Sequence, residues 1–168
     1  MSFARMLIAG LFAAFFAQGA LAQGTQVPFG GLRQDASLPV EITADQLKVD
    51  QGDGSAEFIG NVRVGQGEMR LSAARVRVEY AAENGEATGR ISRLLASGGV
   101  TLVNGAEAAE ADEAEYSIEK GQIVMIGHVI LTQGANALSS ARMVIDLNKG
   151  SAVLHGRVKT IFKSGGNP

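Results

Sequence analysis

One unit of about thirty residues is written four times into this chain, with agreement to the residue. Gly60, Gly98, Gly127 and Gly156 each open a Gly-x-Val triplet that ends at Val62, Val100, Val129 and Val158. Successive glycines are 38, 29 and 29 residues apart. A second element reads ADQLKV from Ala44, AARVRV from Ala73, ADEAEY from Ala111 and SARMVI from Ser140, at separations of 29, 38 and 29. The next such element starts 13 residues after each of the first three glycines. Each element in turn precedes its own glycine by 16 residues, except in the second unit, where the gap is 25. Four copies of a 29-residue unit account for this, the second carrying a nine-residue insertion around AAENGEATG.

Turn chemistry follows the same ruler. Gly54, Gly121 and Gly150 lie six residues before strand glycines, and Gly67, Gly105 and Gly134 lie seven after. Sequences such as ENGE and NGAE supply the positive-φ residues that hairpin turns need. All three prolines, Pro28, Pro39 and Pro168, fall outside residues 40–167, as a hydrogen-bonded ladder requires. Each unit therefore reads as two strands, one broken at the Ala-Asp type dipeptide and one at the glycine. A glycine inside a strand weakens it unless the strand turns a corner there. Eight bent strands give about sixteen half-strands folded around a shared interior. The fold expected is an all-β, twisted antiparallel β-roll or jelly-roll, open at both ends.

Side-chain parity divides the strands into two faces. With Val62 taken as inward, the inward set is Ile42, Leu47 and Val49; Phe58, Val62 and Val64; Leu71, Val76 and Val78; Val100 and Leu102; Ala109, Ala114 and Tyr116; Val129 and Leu131; Leu138, Met143 and Ile145; and Val158 with Thr160. The alternate positions include Lys48, Arg75, Arg77, Glu113, Glu115 and Arg142, all charged. The lining is rich in Val, Leu, Ile and Ala and poor in rings. Such a lining suits a channel or a dry, filled core, and parity does not choose between them.

Little in the chain carries chemistry. There is no Cys, so thiolate chemistry and disulfides are excluded. His128 and His155 fall on the outward phase beside different glycines, and the acidic run Glu107 to Glu115 alternates with Ala as a solvated strand face does. No nucleophile elbow or phosphate loop is present, so no enzyme, metal site or cofactor is expected. A net charge of −2 argues against a nucleic-acid footprint. The N-terminus has the form of an export signal: Arg5, an apolar run from Met6 to Ala17, and Ala20-Leu21-Ala22 as a small-x-small site. Cleavage is expected after Ala22. The domains expected are a signal peptide over 1–22, a linker over 23–38, the β-roll over 39–163 and a flexible tail over 164–168. One stretch, Ile123 to Leu131, is apolar at both parities, which turns Val124, Ile126 and Ile130 outward.

With these residues in view, the chain resembles the lipopolysaccharide-transport A proteins of Gram-negative bacteria, of the organic-solvent-tolerance-like family. The resemblance rests on PVEITADQLKVDQGDGSAEFIGNVRVGQGEMRLSAARVRVEY, then GHVILTQGANALSSARMVIDL, then AVLHGRVKTIF. It runs from about Pro39 to Phe162, and the chain ends KSGGNP, without the longer basic tail of some members. The resemblance implies a periplasmic carrier that moves lipopolysaccharide from the inner to the outer membrane. Its partners would be lipopolysaccharide, the inner-membrane C component, the outer-membrane translocon and further copies joined head to tail. It also implies that acyl chains lie in the interior, which places them against Ile42, Leu47, Val49, Phe58, Val62, Val64, Leu71, Val76, Val78, Val100, Leu102, Val129, Leu131, Met143 and Ile145. The open strand edges available for joining copies are expected near Val40 and Ile42 at one end and near Val158 and Ile161 at the other. Two alternatives remain: a structural β-solenoid filament, and the membrane-anchored C component of the same system.

Overall fold

Period-two alternation interrupted at fixed points gives long strands that bend rather than stop. The computed structural model describes residues 24–28, 35 and 37–162. The predicted signal sequence and the tail from 164 onward lie outside the described residues. The strands are β1 (Thr25–Pro28), β2 (Glu41–Thr43), β3 (Gln46–Asp50), β4 (Ser55–Gln66), β5 (Met69–Glu83), β6 (Glu86–Asn104), β7 (Glu107–Ser117), β8 (Gln122–Gln133), β9 (Asn136–Asp146), β10 (Ser151–His155) and β11 (Lys159–Ile161). All pairings are antiparallel. The order is β1-β10-β9-β8-β7-β6-β5-β4-β2, with β3 also on β4 and β11 also on β9. β2 with β3, and β10 with β11, are the two halves of bent strands at either end. The chain is an all-β, antiparallel jelly-roll.

The register explains the bends. Ile126 pairs with Arg142 and Val129 with Ser140, so β8 advances three residues while β9 advances two. Equivalent shifts fall between Ile59 and Val62 on β4 and between Ser97 and Val100 on β6. An extra residue in one strand is a β-bulge, which bends the strand and increases its twist. At each corner the glycine has a positive φ: 82° at Gly60, 82° at Gly98, 79° at Gly127 and 78° at Gly156. The residue after it is positive as well, at Asn61, Gly99, His128 and Arg157. A second constraint comes from the neighbouring strand. A Cβ on Gly98 would lie 2.7 Å from the Ala74 Cβ, one on Gly156 2.9 Å from that of Ala141, and one on Gly127 inside the Asp112 carboxylate. Only glycine satisfies both conditions.

The corners divide the roll into two facing sheets. The first contains β2, residues 62–66, 69–73, 100–104, 107–111, 129–133 and 136–140, and β11. The second contains β3, residues 55–59, 75–83, 86–97, 113–117, 122–126 and 142–146, β10 and β1. Their inner faces bury one continuous apolar core. The inserted residues prolong the β5–β6 hairpin, which turns at Asn84-Gly85, both at positive φ.

Two expectations change here. The stretch 23–38, read as linker, contains β1, which pairs with β10 from Thr25↔Leu154 to Pro28↔Ser151. Pro28 is tolerated because β1 is an outer strand and needs hydrogen bonds on one side only. Val40 and Val158, read as edge-strand residues, lie just outside β2 and β11 and pack half-buried against the core. The edges themselves are β2 and β3 at one end, and β11 with the outer side of β1 at the other.

Candidate functional site

Among the described residues, the interior between the sheets forms one continuous apolar cluster. Val62, Val64, Leu71, Val76, Val78, Val100, Leu102, Val129, Leu131, Met143 and Ile145 are all buried there. So are Ala109, Ala114, Tyr116 and Leu138 of the parity set, and Ile123, Met125 and Leu154 beside them. The choice between channel and filled core is settled for the middle of the roll. Val76, Ile123, Met125, Val129, Leu131, Met143 and Ile145 have no accessible surface, so no water-sized gap adjoins them.

The end formed by β2 and β3 is different. Leu47 pairs with Phe58 and Val49 with Ala56, so both carry inward parity. Yet Leu47 is 52% exposed and Val49 is 67% exposed. They are inward in phase, as parity expects, but exposed. They belong to the outermost strand, and among the described residues no further strand covers their inner flank. Phe58 and Ile42 are half-buried behind them. The result is an apolar mouth that leads into a closed core. On the outer side of the first sheet at the same edge, a groove of about 710 Å³ is lined by Leu38, Pro39, Thr43, Arg63 and Arg70.

Parity reasoning missed a polar element inside the roll. Gln66 ends β4 on the inward phase and is 2% exposed; Tyr116, on the opposite sheet, is also 2% exposed. The Tyr116 hydroxyl donates to Gln66 Oε1 at 2.9 Å, and Gln66 Nε2 donates to the Leu38 carbonyl at 3.0 Å. Burial raises the Tyr116 pKa above its ordinary 10.0, an effect the bond to Gln66 partly opposes. Asn104 is buried too, and the Glu107 carboxylate accepts from Gln133 Nε2 at 3.0 Å. Gln66, Asn104 and Gln133 read as parts of turns in the sequence because each sits one or two residues from a turn glycine. The available signal was that they keep the inward phase of Val64, Leu102 and Leu131.

Outside the roll, the features are solvated. His128 Nδ1 and Asp112 Oδ2 are 2.8 Å apart at an exposed corner, equivalent to Asn61 and Asp45 at 2.7 Å. Arg93 bonds Glu79 at 2.6 Å and Glu115 at 3.2 Å across the outer face of the second sheet. Ile126 and Ile130 are exposed, and Val124 is half-buried. Among the described residues, no group of three or more His, Asp or Glu is placed to hold a metal, and no helix is long and apolar enough to cross a membrane.

Comparison with known proteins agrees in fold and sequence. A family model described as LptA/(LptD N-terminal domain) LPS transport protein matches residues 41–151. An uncharacterized protein of Rhizobium meliloti (strain 1021) is 34% identical over 127 residues, covering 74% of this chain and 68% of its own. The crystal structure of LptH from Pseudomonas aeruginosa superposes with a TM-score of 0.65 at 18% identity, covering 77% of this chain and 99% of that one. LptH is the LptA-homologous periplasmic component of the conserved lipopolysaccharide transport device of that bacterium.

Proposed function

The chain belongs to the LptA/LptD N-terminal domain family of LPS transport proteins, and from that premise we propose that it is a periplasmic carrier of lipopolysaccharide. It holds acyl chains between its two sheets and passes them from an inner-membrane component towards an outer-membrane translocon. The observation that carries this reading is the apolar mouth at β2 and β3, where Leu47 and Val49 present inward-facing side chains to solvent ahead of the predominantly apolar core. Transferring one dozen-carbon chain through water costs roughly 10 kcal/mol at about 0.8 kcal/mol per CH₂. A lining of buried Val, Leu, Ile and Met offsets that cost without any reaction.

Because the middle of the core is closed, cargo entry parts the sheets from the mouth inward. Strand edges supply the means of joining copies or partners head to tail. β2 and β3 at one end differ from β11 and β1 at the other, so pairing one edge with the other does not close on itself. Export with cleavage after Ala22, and the β-roll domain over 39–163, are part of the same proposal.

Titrating lipopolysaccharide into the purified chain that starts at Gln23 tests the function. Saturable binding that survives high salt is expected of a carrier. A structural filament with a permanently dry core would bind none, and that result would end the carrier reading.

A further inference from the structure

We propose that β1 is a removable cap, holding in register the place on β10 that β3 of a second copy takes when two rolls join. This rests on the head-to-tail joining proposed above and assigns that joint a register and a built-in competitor. Strand pairs within the roll show what such a place looks like. Ile59 pairs with Arg75, Ser97 with Glu113 and Ile126 with Arg142. In each case the residue before a corner glycine faces the third residue of the next Ala-Asp type element. One step further from the corner, the inward pairs are Phe58 with Val76, Ala96 with Ala114 and Met125 with Met143. The position is apolar every time.

β10 carries the last corner glycine, and no Ala-Asp type element follows it in its own chain. Continued across copies, the same register sets His155 opposite Gln46 of a second copy, Leu154 opposite Leu47, Val153 opposite Lys48 and Ala152 opposite Val49. Leu47 and Val49 are the inward-phase residues left exposed at the other end of the roll. β1 stands in that very place, with Thr25 opposite Leu154, Gln26 opposite Val153 and Val27 opposite Ala152. Its direction matches as well. Strands alternate in direction from β4 to β10, so β1 on β10 runs the same way as β3 on β4. A second roll in the same orientation continues the antiparallel ladder if its β3 replaces β1, and breaks it if β3 adds outside β1. β1 is also the weaker occupant. It has four residues against five in β3, and its final proline has no N–H to donate. It sets an exposed Thr25 at the position that Val76, Ala114 and Met143 fill within the roll. Leu47 in its place takes apolar surface out of water on both copies.

The sequence has no Cys, so engineered cysteine pairs report the register directly. In the chain that starts at Gln23, Lys48→Cys with Val153→Cys puts one thiol at each end of the roll, and a disulfide between them joins two copies. In a glutathione redox buffer this variant is expected to form a ladder of linked copies that grows with concentration. Adding Gln26→Pro and Val27→Pro, which removes β1 donors at both ladder phases, should raise the linked fraction severalfold. Gln46→Cys with Val153→Cys is two residues out of register and should give no ladder, because that diagonal of about 7–8 Å exceeds what a disulfide spans. Gln26→Cys with Val153→Cys should close within one copy and lock β1 in place; oxidised, it should stay monomeric at concentrations where the reduced form associates. Equal association of the locked and reduced forms, where the wild type does associate, overturns the cap and leaves head-to-tail joining intact. A ladder from the out-of-register pair as strong as that from Lys48→Cys with Val153→Cys does the same. A chain that neither associates nor cross-links, even with β1 spoiled, overturns the joint and the cap with it.

Discussion

At each corner two consecutive residues hold positive φ, but they are not equivalent. Gly98 combines φ 82° with the Ala74 methyl facing it, whereas Gly99, at φ 81°, has open space where a Cβ would point. Left-handed backbone costs a side-chain-bearing residue about 1–2 kcal/mol, and overpacking adds about 1–3 kcal/mol. Gly99→Ala is therefore expected to lose about 1–2 kcal/mol in urea melts and Gly98→Ala clearly more. Equal losses would show that the neighbouring strand does not select the glycine. Gly127→Val adds a β-branched side chain against Asp112 and should behave like Gly98→Ala or worse. A second residue-scale prediction concerns alkali. The folded state raises the Tyr116 pKa, so above about pH 10 the unfolded chain releases a proton that the folded chain retains, and stability falls as pH rises. Below that pH the contribution is fully present. The loss in urea midpoint between about pH 8 and about pH 11 should shrink in Tyr116→Phe; an identical loss would mean the hydroxyl is not buried in solution.

Edge strands decide what the roll does with its neighbours. β11 pairs only with β9, and β10 is covered by β1 rather than left open. A strand on an exposed edge competes with any incoming strand for the same backbone groups. Deleting the chain through Pro28 should therefore expose β10 and strengthen self-association, measured by sedimentation across a concentration series. Ile161→Pro, which spoils β11 as an edge, should weaken it. If neither change shifts the distribution, these edges do not mediate assembly. β1 was hidden in the sequence for a physical reason. Four residues ending in proline have no strand signal of their own, and their pairing is set by β10, more than 120 residues later. The long strands were legible because their pattern is local: alternation, a turn glycine at fixed distance and a bulge glycine at fixed phase.

For the molecule as a whole, parity located the interior but not its closure. Whether an inward residue is buried depends on what lies beyond the next strand, and for Leu47 and Val49 no described strand lies there. The Tyr116–Gln66 bridge was equally out of reach, since it joins residues 50 apart in sequence on facing sheets. The proposal built on this interior is that cargo occupies the space between the sheets and not the outer faces. Site-resolved photo-crosslinking to lipopolysaccharide measures that most directly. A photoreactive side chain at Leu47, Val64, Leu102 or Leu131 on the inner faces should label the lipid, and one at Arg63 or Lys159, both exposed on outer faces, should not. Labelling confined to the inner set is the predicted result; equal labelling of both sets would contradict it.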